Sequence, residues 1–387
     1  MAGLQVKQNL GGEADRLSSV AVVGLSLLTL VPGVVGGSET YVRELTRQLA
    51  ARAEVECHVY LPTIAPDAHG GLPHSTIHAY PAGRSTPARL RAMGLAAVAG
   101  GRIRSEMHLD RLDALHFPLS TMLPPVAGVP SAVTVLDIQH EFFPGFFNPA
   151  ELAYRRIVYR AGVRRCQIVI TISEHARRTI IERMNLPPGK VRSIHLGLDH
   201  DRFTPAPPGA EALPRENFLV YPANRWPHKN HQRLFDAFAI LRERGRDLRL
   251  VLTGSFHEGK PVPVGVDVRG RVTGQELLNL YRTAAAIVFP SLYEGFGQPP
   301  LEAMACACPA AVSNAGPLPE IFGGAASYFD PLSVEEMVGA IERVLDDPEP
   351  FRREGLEVAA KYSWARCAAE HEAVYRELIA SRGNYNY

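Results

Sequence analysis

Cysteine is scarce in this sequence, with five residues in 387. The number is odd and the spacings are not those of metal ligands, which argues against a disulfide framework and favours a reducing compartment. Cys306 and Cys308 lie in an apolar helical pattern. They are therefore expected to pack in a core rather than to perform redox chemistry.

A long hydrophobic run is also missing. The longest apolar segment, residues 20–35, is shorter than the roughly 20 residues that a membrane-spanning helix needs. It contains Pro32 and continues into Gly36 and Gly37 rather than into a cleavage site of small residues, so it predicts a buried strand instead of a signal peptide. Residues 1–18 are expected to form a polar tail, and the protein is expected to be cytoplasmic.

The chain carries no excess of either charge, with 41 Lys and Arg against 40 Asp and Glu. This balance argues against a nucleic-acid binder. The two halves differ, because residues 1–200 hold 21 basic and 16 acidic side chains and residues 201–387 hold 20 and 24. The first half is therefore the one expected to meet an anionic surface.

Length and pattern together predict two domains of α/β class. Short apolar runs alternate with longer helical patterns, which indicates doubly wound parallel sheets covered by helices. The pattern breaks at a proline-rich segment, residues 205–214, and then restarts. We expect Rossmann-like domains at residues 19–204 and 205–364 and a C-terminal helix within residues 365–387. Ligands bind such sheets at the carboxyl ends of the strands, so the chemistry is expected in a cleft between the domains.

Residues 290–302 carry the most informative motif, a predicted strand end followed by a glycine-containing loop and a helix that starts near two prolines. Gly295 and Gly297 let the backbone approach a ligand closely. Free amides and the positive end of the helix dipole suit a diphosphate. The loop is therefore a candidate site for a nucleotide-diphosphate sugar.

Two glutamates frame this loop. Glu294 would repel phosphate, but it is well placed to accept hydrogen bonds from sugar hydroxyls, and Glu302 could accept those of a ribose. Spacing alone favours a solvated glutamate and a helix-start glutamate. The strand, the glycines and the prolines around them favour the donor site instead.

The motif closely resembles the donor signature of glycosyltransferase family 4, retaining enzymes of the two-lobed GT-B fold, whose pattern is Glu, seven residues, Glu. Similar segments are residues 302–309, 313–320, 328–331 and 362–364. The resemblance covers the chain from about Ser18 to Leu378, and it implies a final helix that crosses back to the first domain. Ala307 stands where the family usually has glycine, and this change is expected to tighten the helix.

The family places a lysine after the first strand of the second domain, with an arginine five residues earlier. Lys229 matches that lysine and is expected to offset the diphosphate charge. The earlier position is Asn224, and Arg225 comes one residue late, so both are candidates for the donor contact. Phe296 and Val272 complete the donor contacts of the second domain.

In the first domain, resemblance brings Gly36 and Gly37 near the donor phosphate or the acceptor. A tight turn capped by Ser38 is the simpler interpretation, and the two can coexist. The segment lacks the glycine spacing of a dinucleotide site.

Asp137 and His140 follow another predicted strand and are expected to protrude into the cleft. Many relatives have a histidine directly before the aspartate, but Leu136 stands there, which leaves His140 as the candidate. A structural histidine is the alternative. His116 also ends a predicted strand, and its involvement stays open. The catalytic candidates are thus Glu294, Lys229, Asp137 and His140.

Asp199 and Asp201 have the spacing with which some glycosyltransferases hold a divalent cation. Their segment resembles the family's interdomain hinge, which is the interpretation that we prefer. Lys229 and the helix dipole would neutralise the phosphates, so no metal or other cofactor is expected, only a donor such as a GDP- or UDP-hexose.

Arginines are concentrated in two places of the first half. Five lie on one predicted helix, Arg155, Arg156, Arg160, Arg164 and Arg165, and residues 84–104 hold five with no acid. A solvated face is the default interpretation. The sharper hypothesis is contact with an anionic membrane surface or a phosphate-bearing lipid acceptor.

We therefore expect a retaining glycosyltransferase that moves a sugar to a hydroxyl of a carbohydrate, lipid-linked or small-molecule acceptor, without metal. Loops at residues 61–110 and 141–150 are expected to read the acceptor. The alternatives are an epimerase or phosphorylase of the same fold and a non-catalytic module that binds sugar nucleotides.

Overall fold

The computed structural model of the protein describes residues 21–33, 36–98, 100–206, 215–255 and 259–381. The expected polar tail and most of the expected linker at residues 205–214 lie outside these ranges. None of the helices within them is both long and apolar enough to cross a membrane.

The first half contains strands β1 (Val22–Ser26), β2 (Glu56–Pro62), β3 (His74–Ile77), β4 (Ala114–Phe117), β5 (Ser131–Val135), β6 (Ile168–Thr171) and β7 (Val191–Ser193). Its helices are α1 (Gly37–Arg52), α2 (Thr86–Val98), α3 (Gly101–Glu106), α4 (Gln139–Phe142), α5 (Pro149–Arg165) and α6 (Glu174–Met184). The strands form one parallel sheet in the order β3-β2-β1-β4-β5-β6-β7.

The second half contains strands β8 (Glu216–Pro222), β9 (Arg249–Thr253), β10 (Val266–Val268), β11 (Ala284–Phe289), β12 (Ala310–Ser313) and β13 (Ala326–Phe329). Its helices are α7 (His231–Glu243), α8 (Gly274–Thr283), α9 (Gln298–Ala305), α10 (Leu318–Phe322), α11 (Val334–Asp346), α12 (Pro348–Ala359) and α13 (Trp364–Ser381). Its sheet is also parallel, in the order β10-β9-β8-β11-β12-β13.

Both faces of the central strands are covered, as parallel sheets require. Every residue of β5 is buried, and successive residues point to opposite faces. Ala132 joins one apolar cluster and Val133 another. The predicted pair of doubly wound parallel-sheet domains is therefore confirmed.

The five cysteines are free and buried within the described chain. Burial raises the pKa of Cys306 to about 12 and that of Cys308 to about 11. Core packing is confirmed for these two residues.

The last helix, α13, packs on α1 and β4 of the first half. Polar contacts help to fix it there. Among them, His371 Nε2 lies 2.8 Å from the hydroxyl of Tyr41, and the hydroxyl of Tyr375 lies 2.9 Å from Nδ1 of His116. The second half of the chain thus ends on the first domain.

His116 belongs to this buried network, since its Nε2 also lies 2.8 Å from Oγ1 of Thr134. Burial, assisted by His371, lowers its pKa well below the ordinary value. His116 lies within β4 and not in the loop that follows it, so its ring contacts α13. Its role is therefore structural.

Ala307 corrects an expectation about the helix α9. The helix α9 ends at Ala305, and Ala307 lies beyond it with a φ of 56°. Glycine adopts this left-handed conformation at little cost, whereas alanine is strained there by about 1 kcal/mol. The residue therefore terminates the helix and does not tighten it.

Candidate active site

A cavity of about 580 Å³ lies between the two domains. The first domain contributes Asp137 and Tyr154, among others, and the second contributes Trp226, Glu294 and Gly295. These residues follow the carboxyl ends of β5, β8 and β11. Ligands of parallel sheets bind at that edge, so the cavity lies where a ligand is expected. The predicted cleft is thus present, and the donor motif borders it.

Lys229 and Glu294 meet at this edge. Lys229 Nζ donates a 2.6 Å hydrogen bond to Oε1 of Glu294, and each side chain is 13% exposed. The strands β8 and β11 that precede them are neighbours in the sheet, which brings their following loops together. The amine also lies 5.0 Å from the ring centre of Phe289. An ammonium group and a carboxylate are therefore held together beside the cavity.

The glycines of the motif have steric reasons to be glycine. A Cβ atom at Gly295 would lie 2.8 Å from the carbonyl oxygen of Leu136, so this residue permits close approach of the two domains. Gly297 has a φ of 110° and caps α9, and a Cβ there would meet Leu318 at 2.6 Å. Phe296 between them is buried against Tyr362.

The start of α9 is poorer in free amides than most helices. Gln298 is its first residue, and Pro299 and Pro300 have no N–H group. The next amide, that of Leu301, donates to the carbonyl of Gly297. Only the loop and the first helical residue can therefore offer amides to an anion, which makes the ammonium group of Lys229 more important for a diphosphate.

Glu302 lies in α9 and is half-buried. Its Oε2 accepts a 3.1 Å hydrogen bond from the hydroxyl of Tyr281. Desolvation raises the pKa of Glu302 to about 7, although Tyr281 and Arg202 act in the opposite direction. A pKa this close to neutrality makes the charge of this carboxyl sensitive to pH.

Asp137 borders the cavity, and its Oδ1 accepts a 3.1 Å hydrogen bond from the amide of Gln139. Desolvation raises its pKa.

His140 is placed differently from our expectation of a side chain in the cleft. It is fully buried, edge-on to Tyr159 at 5.0 Å, because the short helix α4 turns it inward. Burial, followed by the charge of Arg155, lowers the pKa of His140 to about 4.

The side chains of Asn224 and Arg225 both contact other residues of the chain. Oδ1 of Asn224 accepts a 2.7 Å hydrogen bond from the amide of Ser255. The guanidinium of Arg225 lies 5.4 Å from the ring centre of Phe235. Val272 is half-buried in the loop before α8.

Gly36 is the N-cap of α1, with a φ of 54°, and Gly37 is the first residue of the helix. A Cβ atom at Gly37 would meet nothing within 4 Å. The N-cap residue, Gly36, makes no side-chain hydrogen bond and Ser38 lies inside the helix, so the expected cap by Ser38 is wrong. Glu39 instead reaches back to the amide of Gly33 at 2.7 Å.

Asp199 shapes a turn. Its Oδ1 accepts hydrogen bonds from the amides of Asp201 and Arg202, at 3.1 and 3.2 Å. Across the described ranges, no three His, Cys, Asp or Glu side chains are grouped as metal ligands would be.

An interdomain contact of Glu320 escaped the sequence analysis, although its segment was noticed. Its two carboxylate oxygens accept the amides of Glu174 and His175, each at 2.7 Å, and one of them lies 3.1 Å from Nε2 of His195. Burial opposes ionisation of Glu320, but these hydrogen bonds lower its pKa overall. A side chain of the second domain thus caps α6 of the first.

Two aromatic residues of the site were also missed. The hydroxyl of Tyr293 accepts a 3.2 Å hydrogen bond from the amide of Ile138, across the domain boundary. Trp226 borders the cavity and is 37% exposed. Tyr293 directly precedes Glu294 in the sequence, and Trp226 lies three residues before Lys229. These neighbours in the sequence could have indicated that both aromatic residues belong to the site.

Two family models match the chain. The model described as Glycosyltransferase Family 4 matches residues 35–202, and the model described as Glycosyl transferases group 1 matches residues 210–361. Together they cover both domains and the motif at residues 290–302. The chain belongs to glycosyltransferase family 4, so the protein is a glycosyltransferase.

Among curated relatives, the chain is 28% identical over 271 residues to O-antigen chain mannosyltransferase B of Escherichia coli, which is 64% of this chain and 70% of the relative. It is 30% identical over 228 residues to MMP alpha-(1->4)-mannosyltransferase of Mycolicibacterium hassiacum. That match covers 55% of this chain and about half, 54%, of the relative.

Solved structures show the same fold. Sucrose-phosphate synthase of Thermosynechococcus elongatus superimposes with a TM-score of 0.74 at 20% identity, over 93% of this chain and 100% of that one. HepE of Anabaena, in complex with UDP and glucose, gives a TM-score of 0.68 at 15% identity, over 93% and 100%. The GT-B fold expected from the resemblance is confirmed.

Proposed function

We propose that the protein transfers a hexose from a nucleotide-diphosphate sugar to an acceptor hydroxyl, with retained anomeric configuration and without a metal ion. The observation that carries this proposal is the pair of Lys229 and Glu294 beside the interdomain cavity, at the start of α9. An ammonium group suits the diphosphate, and a carboxylate next to it suits the sugar hydroxyls.

Each donor residue has a separate role in this proposal. Lys229 stabilises the departing diphosphate together with the loop amides around Gly297. Glu294 accepts hydrogen bonds from the sugar, and Glu302 accepts them from the ribose. Asp137 borders the same cavity as Glu294 and accepts a hydrogen bond from a neighbouring hydroxyl of the acceptor.

The bond between the anomeric carbon and the diphosphate oxygen breaks as the acceptor oxygen bonds to that carbon on the same face. The proton of the acceptor hydroxyl passes to an oxygen of the departing phosphate. Catalysis then consists of positioning and of electrostatic stabilisation of the leaving group. No side chain needs to act as a nucleophile.

For the donor we propose GDP-mannose as the first compound to test, because several curated relatives are named mannosyltransferases. The solved complex of HepE makes UDP-glucose the second. For the acceptor we propose a growing glycan or a lipid-linked sugar, in keeping with the O-antigen chain named for one relative.

We further propose peripheral contact with an anionic membrane. The end of α2 and the helix α3 expose Leu95 and Val98 beside the exposed Arg102 and Arg104. Apolar side chains next to cations suit the boundary between lipid headgroups and acyl chains, and each cation near it contributes about 1 kcal/mol. Vesicles of anionic lipid should sediment the protein, and vesicles of neutral lipid should not.

The test is a panel of GDP- and UDP-hexoses, screened by thermal shift and then assayed for transfer with and without a chelator. We expect one donor to raise the unfolding temperature with the logarithm of its concentration. Glu302→Ala should weaken nucleotide binding, and Glu294→Ala should mainly depress transfer. Equal, small effects of both would contradict the roles, and complete loss of activity with the chelator would overturn metal independence.

Two alternatives give different results in the same panel. Turnover of a nucleotide-sugar without any acceptor would show an epimerase. Donor binding without turnover over a broad acceptor panel would show a binding module.

A further inference from the structure

The cavity is larger than the donor residues account for, and the first domain forms most of its wall. Arg89 and Met93 come from α2, Phe146 and Phe147 precede α5, and Tyr154 belongs to that helix. These elements fall within the segments 61–110 and 141–150 or directly after them. In the proposed reaction this wall faces the acceptor.

Most charged groups of the cavity are paired with each other. Arg155 forms a 2.9 Å ion pair with Glu151 and lies 4.8 Å from the ring centre of Phe147. Glu294 is paired with Lys229. The charges that remain for a ligand are therefore those of Asp137 and Arg89.

Arg89 is the cation of this wall that has no carboxylate partner within the described chain. Its side chain is half-buried. A guanidinium group in such a position loses hydration without gaining an ion pair, which is unfavourable unless a ligand supplies the anion. Its planar fork matches the oxygens of phosphate or carboxylate.

Two tyrosines, Tyr80 and Tyr154, lie within electrostatic range of Arg89. Burial raises the pKa of Tyr80 to about 12, and the nearby charge of Arg89 opposes that rise. The hydroxyl of Tyr154 donates to Sδ of Met93 at 3.2 Å. A thioether is a weak acceptor, so a phosphate oxygen would readily take this hydrogen bond.

We propose that the acceptor carries a phosphate ester, which Arg89 binds with the hydroxyl of Tyr154, while the sugar it presents extends toward Asp137 and Glu294. This inference rests on the proposed function and specifies its acceptor. The phosphate belongs either to a sugar phosphate or to the diphosphate of a lipid carrier.

The test compares the full-length wild type with Arg89→Gln, Arg89→Lys and Arg91→Gln. Arg91 is an exposed residue of the same helix that does not border the cavity, so it is the matched control. Binding of mannose, mannose 6-phosphate and a mannosyl diphosphate with a short isoprenoid chain is measured by calorimetry. Saturating GDP or UDP is present, so that the donor phosphate site is filled.

We expect the wild type to bind at least one of the two phosphorylated probes 10-fold or more tightly than mannose. Arg89→Gln should abolish this preference, Arg89→Lys should restore part of it, and Arg91→Gln should leave it intact. The probe that binds more tightly identifies a soluble or a lipid-linked source. No preference for phosphate in the wild type, or equal loss in the Arg91 variant, would overturn the inference.

The same samples separate this inference from the proposed function. If the wild type binds a sugar nucleotide but shows no preference for phosphorylated probes, only the acceptor assignment fails. If no sugar nucleotide binds, the proposed function fails. In a transfer assay, Arg89→Gln should raise the acceptor KM and leave the donor affinity unchanged.

Discussion

Lys229 Nζ and Glu294 Oε1 lie 2.6 Å apart, so the residue proposed to hold the diphosphate and the residue proposed to hold the sugar bind each other. Both are largely buried, at 13% exposure each. A diphosphate bound at Lys229 would compete with the carboxylate of Glu294. The sugar hydroxyls would then donate hydrogen bonds to that carboxylate in place of Lys229. The pair thus couples folding stability to donor binding.

Single substitution of either partner should destabilise the fold. We expect Lys229→Met or Glu294→Gln to lower the free energy of unfolding by about 2 kcal/mol, because each removes the partner of a largely buried polar group. The double variant should lose less than the sum of the two, although transfer should not recover. Urea unfolding and transfer rates measure both effects.

A surface pair provides the control for this cycle. Arg366 and Glu370 form an exposed i, i+4 ion pair, for which about 0.5 kcal/mol or less is expected. Strictly additive losses at Lys229 and Glu294 would show that the two side chains are not coupled.

Nucleotide affinity should depend on pH through Glu302. Desolvation raises the pKa of this carboxyl from its ordinary value to about 7, so the folded protein keeps the proton between about pH 4.5 and 7. The ionised form is the stronger acceptor for ribose hydroxyls. The affinity for GDP or UDP should therefore rise between pH 6 and 8, as measured by calorimetry.

The variant Glu302→Gln isolates this effect, because its amide does not titrate. It should bind nucleotide more weakly and with no step in this pH range. The folding stability of this variant should also lack the pH dependence that the Glu302 carboxyl causes. In the wild type the unfolded chain releases the Glu302 proton first, so this residue makes unfolding easier as the pH rises from about 4.5 to 7. A wild-type affinity that is flat over this range would refute the proposed role.

Much of the fold could be predicted from the sequence, because buried parallel strands are short apolar runs between helical patterns. The strand predicted to end near His116 is β4 (Ala114–Phe117). Four strands were missed for local reasons, and one of them, β10 (Val266–Val268), is only three residues long. The edge strand β3 begins with the polar residues His-Ser-Thr. The strands β12 and β13 border or overlap segments that were noticed only for their resemblance to a family.

The meeting of Lys229 and Glu294 was also predictable in outline, since both follow strands that are neighbours in one sheet. The position of His140 was not, because the single turn of α4 decides which side of the loop faces the cavity. The contact of Glu320 with α6 depends on how two separate sheets approach each other. Such contacts leave no periodic signal in the chain.

Glu320 should hold the two domains together. We expect Glu320→Ala to leave two amides of α6 and the ring of His195 without their acceptor, at a cost of about 1 kcal/mol for the lost cap. The domains should then separate more often, and the radius of gyration from small-angle X-ray scattering should increase. Glu357→Ala, at an exposed position on α12, should change nothing.

The lowered pKa of Glu320 gives this contact a pH dependence of known sign. A carboxylate whose pKa is lower in the folded state stabilises the fold above its ordinary pKa of about 4.5 and loses that contribution as the pH falls further. Wild-type scattering should therefore resemble that of Glu320→Ala only in acid. Identical radii for the two proteins at pH 7 would show that Glu320 does not hold the domains together.

The network around Tyr375 should stabilise the protein without affecting transfer. We expect Tyr375→Phe to lower the free energy of unfolding by about 1–3 kcal/mol, because Nδ1 of His116 is left buried without its hydrogen bond. Transfer at saturating substrates should be unchanged, since none of these residues borders the cavity. Tyr328→Phe, which removes a solvent-exposed hydrogen bond, should cost clearly less.

Acid should weaken the same network. Burial lowers the pKa of His116 well below its ordinary value and that of His371 to about 4, so the folded protein keeps both rings neutral. The unfolded chain takes up protons below about pH 6.5, and the free energy of unfolding should fall as the pH is lowered from 6.5 to 4. Urea midpoints across this range give the measurement. A constant midpoint in the Glu302→Gln variant, where the opposing titration of Glu302 is absent, would mean that these rings are solvated in the folded protein. The helix α13 would then be held on the first domain by apolar packing and by ion pairs such as that of Arg52 with Glu372.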